Sequence, residues 1–425
     1  MATDGENQVA WRTGQRYAVR LVPLEDPQGP ALPLKLSGDG NYLITGGLGG
    51  LGLTIAHRLI EMGARHLSLL GRSGIASPSI QQAVEALERA GAQVSVFKVD
   101  VADASELTKA LGQCRTIAPL RGVVHAAGIL DDGILLQQSA ARFDRVMAAK
   151  VQGAWHLHTL TQDCDLDFFV CFSSLASLVG SAGQGNYAAA NSFLDGLAQH
   201  RLALGLPALS INWGPWAEVG MAVQAGQKVE GNSEGVRFIG ARQGAEVFAY
   251  LVNRPGQAQV GVLPVDWATF RIAGLPVFTQ ARPDWLQTQA VASPAEALLP
   301  RLCTLAKNEA HQVLVGEVGQ QVTAVLGLSP SQMPAPGQRL FEAGIDSLMA
   351  MELRSRLQTL TGRPLPATLV FDYPSIGQLA DYVWDEVLGM QAQEGKIEGI
   401  QQEANLDGLS DEELEAQLML KIAAL

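Results

Sequence analysis

The run Tyr42-Leu43-Ile44-Thr45-Gly46-Gly47-Leu48-Gly49-Gly50-Leu51-Gly52 decides the fold. Tyr42–Thr45 reads as an apolar strand, the glycines as a turn, and Leu53–Met62 as a helix. Strand, turn and helix in that order form the context in which a glycine motif carries meaning. Gly46 and Gly50 permit tight backbone geometry, and Gly52 lets the helix approach closely. The free N–H groups at the helix start suit a pyrophosphate. Thr45, Gly46, Gly47, Leu48, Gly49, Gly50, Leu51 and Gly52 are therefore the expected cradle, with an empty glycine-rich loop as the alternative.

Outward from this turn, strand-like runs alternate with helical stretches between Asn41 and about Thr279. The strands are Tyr42–Thr45, His66–Leu70, Gln93–Lys98, Gly122–His125, Phe168–Phe172, Ala208–Asn212 and Gln259–Val265. The pattern predicts an α/β fold, a Rossmann-like doubly wound parallel sheet. The second strand ends in Gly71-Arg72-Ser73, without the carboxylate that bonds a ribose 2′-hydroxyl in NAD sites. Arg72 suits a 2′-phosphate instead, so NADPH is favoured, Arg72 and Ser73 being contacts; a plain surface arginine is the alternative. Asp100-Val101, after the third strand, fits the adenine side. His125-Ala126-Ala127-Gly128, after the fourth, fits the nicotinamide ribose, His125 itself in a structural role.

Composition excludes several classes. The 425 residues suffice for two or three domains, and 47% hydrophobic with 17% charged residues reads as soluble and globular. A net charge of −12 without a basic cluster argues against nucleic acid. No uncharged apolar run reaches the roughly 18 residues a membrane helix needs, and the polar start is no signal peptide. Cys114, Cys164, Cys171 and Cys303 form no CxxC pair, so buried free thiols in a reducing cytoplasm are expected, and no metal site.

Ser174 closes the Phe168–Phe172 strand, and Tyr187, thirteen residues later, opens a helix beginning near Ala188. Ketone reduction needs hydride on carbon and a proton on oxygen. A tyrosine with a pKa lowered by a nearby cation could give the proton, and a serine could hold the oxygen. This arrangement resembles the short-chain dehydrogenase/reductases, in most of which a lysine lies four residues after the tyrosine. Asn191 occupies that place, while Lys150 sits in a helix ahead of the serine strand. That exchange resembles ketoreductase domains of polyketide synthases and animal-type fatty acid synthases, over residues about 38–280.

The resemblance implies roles. Tyr187 donates the proton, Ser174 bonds the substrate oxygen, Lys150 steadies the cofactor ribose and lowers the tyrosine pKa, and Asn191 organises a proton relay. Pro215 and Trp216, in Asn212-Trp213-Gly214-Pro215-Trp216, lie beside the nicotinamide. Leu130-Asp131-Asp132 matches the mark of relatives that form a D-configured β-hydroxyl. The opposite class tends to carry a tryptophan eight residues before the tyrosine, where this chain has Val179.

Residues 283–307 hold three prolines and read as a linker, and 308–388 as a small all-α bundle with an apolar series Val315, Val318, Val322, Val325 and Leu326. Phe341-Glu342-Ala343-Gly344-Ile345-Asp346-Ser347-Leu348 precedes a helix through about Leu357 and, with Phe371-Asp372-Tyr373-Pro374, resembles acyl carrier proteins. Ser347 would carry 4′-phosphopantetheine, installed by a phosphopantetheinyl transferase, with Asp346 and Glu352 on the face partners read; a serine that only caps the helix is the alternative. Residues 389–425, a flexible linker and amphipathic helix (Leu414, Leu418, Ile422), resemble docking segments that reach a downstream synthase polypeptide. A helix folding back onto the carrier is the alternative.

Residues 1–37 read as a lead-in whose strand, Gln15–Pro23, is the last of a structural half that such reductases carry upstream. The whole implies reduction of a β-ketoacyl chain on its own carrier, with upstream module domains as partners. A reductase of free ketones and an inactive carrier-and-docking module are the rival readings.

Overall fold

The computed structural model describes residues 6, 8–24, 34–181, 183–217, 235–254, 256–267, 270, 276–278, 280, 294–326, 328, 332–366 and 368–389. The chain divides into two compact units, residues 1–290 and 291–425.

The first unit opens with a hairpin, β1 (Val9–Arg12) against β2 (Gln15–Ala18), antiparallel and exposed throughout. The expected lone strand Gln15–Pro23 is thus shorter and paired. Past it, Leu21 N donates to Val277 O at 2.8 Å, and Leu21 packs with Phe270 and Phe278.

The main elements then alternate: β3 (Asn41–Thr45), α1 (Gly50–Glu61), β4 (His66–Gly71), α2 (Pro78–Arg89), β5 (Gln93–Lys98), α3 (Ala104–Ile117) and β6 (Leu120–His125). There follow α4 (Ala140–Met147), α5 (Gly153–Leu160), β7 (Phe168–Ser174), α6 (Ala176–Val179), α7 (Gly185–Ala203), β8 (Leu209–Trp213), α8 (Ala241–Val252) and β9 (Gln259–Val262). All seven strands from β3 to β9 form one parallel sheet in the order β5-β4-β3-β6-β7-β8-β9. β3, β7 and β8 are buried almost throughout, as strands covered on both faces must be. Ile55, Ala56, Leu59 and Ile60 on α1 pack into one core with Ile44, Leu69 and Phe172, and Leu107, Leu111, Leu157 and Leu194 into another. β9 stops at Val262, short of the expected Val265, because Pro264 interrupts the ladder, and Val265 instead forms a bridge to Val236.

The order of strands fixes where a ligand can sit. The chain leaves β3 for β4 and β5 on one side, then returns to β6 on the other. At such a switch point the connections diverge and open a crevice at the carboxyl ends of β3 and β6.

The second unit holds α9 (Pro294–Cys303), α10 (Lys307–Val325), α11 (Ser347–Thr361), α12 (Leu369–Asp372) and α13 (Ile376–Tyr382), which runs on as a π-turn, Val383–Val387. Leu314, Val318, Val322, Leu353, Leu357, Leu369 and Leu379 form its core. α9 falls within the stretch 283–307 expected as a linker. Its prolines hide Leu298 and Leu302, one turn apart, both buried in that core. α11 runs four residues beyond the expected Leu357, because Leu360 is also buried there. Cys114 and Cys171 are buried as expected, but Cys164 is half-buried and Cys303 exposed. Among the described residues no helix is long and apolar enough to cross a membrane. The expected docking helix in 389–425 lies outside the described residues, save Gly389.

Candidate active site

The crevice at the switch point is built from backbone. Gly46 has φ +66°, and a Cβ there would stand 3.0 Å from the backbone of Ala126 and Ala127. A Cβ on Gly52 would come 2.3 Å from Gly46 O. Glycine is required at both, so the turn can fold under α1 and against β6. Thr45 Oγ1 bridges the crevice floor, 2.8 Å from His125 Nδ1 and 3.3 Å from Ala127 N. α1 has Gly49 as its N-cap and no side chain bonded to its first amides. Those amides remain available to an anion. Leu48 packs beside Gly71, and Arg72 and Ser73 follow, exposed, at the end of β4. Asp100 Oδ1 accepts from Ala102 N at 3.0 Å, and Val101 is buried against Gly153. A dinucleotide fits this cradle: uncapped amides, two glycines no other residue could replace, and one exposed arginine beside them.

The second half of the site gathers at the ends of β6 and β7. Lys150 lies in a π-turn, Ala148–Gln152, that joins α4 to α5. Such a turn carries one extra residue and re-aims the side chains on it. Lys150 is 2% exposed; it passes Gly128, where a Cβ would sit 2.9 Å from its Cε, and donates to Phe172 O at 2.9 Å. Its Nζ is 5.4 Å from the centre of the Tyr187 ring. Burial pulls the ammonium down to about 8, with Cys171 and Asp195 opposing. His125, fully buried, is held down at about 3 by burial and by Lys150, so it is neutral and structural.

Tyr187 lies in the first turn of α7, which begins at Gly185, three residues ahead of the expected start. Its hydroxyl pKa is raised, not lowered as the resemblance implied. Burial dominates, hydrogen bonds from Asn191 and Ser174 pull back, and Asp132 pushes further up. Burial outweighs the two hydrogen bonds that favour the phenolate, and so the expected lowering is missing. Ser174 Oγ accepts from Ala176 N at 3.2 Å. Asn191 Nδ2 donates to Tyr187 O at 2.8 Å, while its buried Oδ1 has no partner among the described residues.

The Leu130-Asp131-Asp132 segment borders this group. Leu130 packs beside Tyr187 and Val146. Asp131 is gripped by Arg142, 2.7 Å from Oδ1, and Arg145, 2.5 Å from Oδ2. Asp132 Oδ2 accepts from Gln184 Nε2 at 2.9 Å. Two arginines and a glutamine thus hold the segment rigid against the start of α7.

Pro215 and Trp216 follow β8. Trp216 is 4% exposed, and a Cβ on Gly244 would sit 2.1 Å from its ring. The missing side chain on α8 makes the slot that takes the indole, so Trp216 is a core residue between β8 and α8. Pro215 O accepts from Ile239 N at 2.7 Å, which fixes the same loop.

In the second unit, Gly344 has φ +105°, and Ile345, 3% exposed, pins the turn by donating to Leu340 O at 3.0 Å. Asp346 Oδ1 accepts from Met349 N at 2.8 Å. The capping bond is therefore made by Asp346, and Ser347 stands as the first helical residue. Glu352 is engaged with Arg356 at 2.7 Å. Behind the turn, Leu340 N bonds Pro374 O at 2.9 Å, tying Phe371-Asp372-Tyr373-Pro374 to it.

With a dinucleotide cradle, a serine–tyrosine–lysine–asparagine group and a serine-bearing turn in place, the class follows. Residues 40–218 match the KR domain family, and residues 317–383 match the phosphopantetheine attachment site family. The chain is thus a ketoreductase domain with a phosphopantetheine-binding carrier domain, homologous to modular polyketide synthases. It is 41% identical over 398 residues to polyketide synthase GfsA of Streptomyces halstedii, covering 91% of this chain and 5% of the relative. It is 38% identical to a Mycobacterium tuberculosis type I polyketide synthase, Pks1, described as inactive in phenolphthiocerol synthesis, covering 84% of this chain and 23% of that one. Among solved structures it resembles A-type ketoreductases from a modular polyketide synthase, with a TM-score of 0.58 and 39% identity over 66% of this chain and 58% of that one. The chain spans less than a quarter of the length of these two synthases.

Behind Ser174, Ser177, Asp195 and Asn212 join in one hydrogen-bonded cluster; the sequence reading singles out neither Ser177 nor Asp195 and names Asn212 only within the run ending at Trp216. Only the four-residue spacing of Tyr187, Asn191 and Asp195 on one helix could have pointed to it.

Proposed function

We propose that the chain reduces a β-ketoacyl thioester, held by phosphopantetheine on Ser347, to a D-configured β-hydroxyacyl thioester, with NADPH as reductant. The observation that carries this reading is the convergence of Ser174, Tyr187, Asn191 and Lys150 at the carboxyl ends of β6 and β7, beside the glycine cradle. NADPH, when bound, supplies the hydride.

The residues do the rest. The amides at the start of α1 and Arg72 bind phosphate groups. Ser174 donates to the substrate oxygen and orients the carbonyl. Tyr187, kept protonated by its raised pKa, gives its phenolic proton to that oxygen as charge develops there. Lys150 holds a positive charge near the phenol, and the open Oδ1 of Asn191 offers an acceptor through which the proton is replaced. The rigid Leu130-Asp131-Asp132 border admits the acyl chain from one side and so fixes the face reduced. A carrier on the same polypeptide raises the local concentration of substrate, so weak affinity suffices. The wider synthase supplies the acyl chain and accepts the product.

The test is NADPH consumption with a β-ketoacyl thioester by the parent and by Tyr187→Phe, followed by chiral analysis of the product. Turnover lost in the variant alone, with D product, supports the reading. A folded but inactive parent supports the scaffold reading, and an L product overturns the stereochemical assignment.

A further inference from the structure

We propose that Asp195 is a positioning residue of this site, fixing the turn that presents Ser174; the proposal rests on the reductase reading. Tyr187, Asn191 and Asp195 lie on successive turns of one face of α7. The first two face the chemistry. The third turns inward, where it is 8% exposed.

A carboxylate so placed is expensive unless its oxygens are bonded. Among the described residues no lysine or arginine pairs with it directly. Instead Ser210 Oγ lies 2.6 Å from Oδ1, Ser177 Oγ 2.7 Å from Oδ2, and Asn212 Nδ2 3.0 and 2.9 Å from the two oxygens. Two of these donors, Ser177 and Asn212, also lie beside the Ser174 carbonyl, and the single Ser177 hydroxyl proton is shared between that oxygen and Asp195. Ser177 Oγ is 2.8 Å and Asn212 Nδ2 3.3 Å from Ser174 O, and Asn212 Nδ2 is 3.0 Å from Ser173 Oγ. The cluster thus joins α7, α6 and β8 around the last residue of β7. The helix that carries Tyr187 and the turn that carries Ser174 share one anchor.

The experiment compares kcat, KM for NADPH and thermal unfolding of the parent and three variants, with a β-ketoacyl thioester as substrate. Asp195→Asn and Ser177→Ala, each of which weakens the link to the Ser174 turn, should lower kcat roughly tenfold with the KM for NADPH unchanged. The double variant Asp195→Asn/Asn212→Asp returns a carboxylate to the cluster and should bring kcat back toward the parent's. An unchanged kcat in a folded Asp195→Asn variant overturns the proposal. If that variant does not fold, an unchanged kcat in Ser177→Ala overturns it. A parent inactive toward the thioester overturns the reductase reading, and this proposal with it.

Discussion

In the first unit Lys150, His125, Asp195 and Asn212 are all buried, and their hydrogen bonds cross from one element to another. In the second unit the buried polar side chains among the described residues are Thr323, Thr361 and Ser375. The two threonines bond a carbonyl one turn back, and Ser375 caps its own helix. The difference follows from what each unit must do. A reductase has to shift proton affinities, which takes desolvation and fixed partners. A carrier needs only a stable apolar bundle and one serine at the start of a helix, because its arm brings the chemistry.

The comparison breaks most sharply at single residues. Ser347→Ala should abolish phosphopantetheine attachment, read as loss of the mass gain on incubation with a phosphopantetheinyl transferase and coenzyme A. Reduction of a free β-ketoacyl thioester should survive it. Tyr187→Phe should do the reverse, lowering kcat by roughly 10²–10⁴-fold while leaving attachment intact. Gly52→Ala should destabilise the first unit by about 1–3 kcal/mol and weaken NADPH binding, since its Cβ would meet the Gly46 carbonyl. Thermal unfolding should show that transition shift alone. Leu353→Ala in the carrier core should cost about 2–5 kcal/mol of the other transition.

The pH dependence sharpens the same contrast. Burial pulls Lys150 down to about 8 in the folded chain, from the 10.5 of a solvated lysine. Between these values the unfolded chain binds more protons, so this group's contribution to stability rises as pH increases. Reductase activity should fall over the same window as the ammonium is lost. Opposite trends in unfolding temperature and kcat/KM from about pH 8 upward are expected for the first unit. Carrier loading should show neither. The smallest effect is expected for Arg72→Ala, which should raise the NADPH KM about tenfold and leave NADH unchanged.

The seven strands and the glycine turn are legible because they depend on local pattern: short apolar runs, then residues that only a tight turn requires. Ser174, Tyr187, Asn191 and Lys150 are legible through a family's spacing. What the sequence conceals depends on partners far along the chain. That the Trp216 indole packs in a slot left by Gly244, on α8, is such a feature. α9 reads as linker because three prolines outweigh two leucines until a core receives them. The Tyr187 pKa reads as lowered because a lysine is nearby, but how deeply the phenol is buried is a matter of tertiary structure. Asp195 looks like any polar residue on a long helix until its donors arrive from β8 and α6.

The π-turn at Ala148–Gln152 has a consequence for how this site tolerates change. A helix advances by about 100° per residue, so one residue more or fewer re-phases everything downstream. Lys150 reaches Phe172 through backbone phase as well as through its own side chain. Substituting it removes one amine, but deleting a neighbour such as Ala149 would rotate α5 against the sheet and aim the amine elsewhere. The site is therefore more exposed to a shift of reading length than to a change of letter.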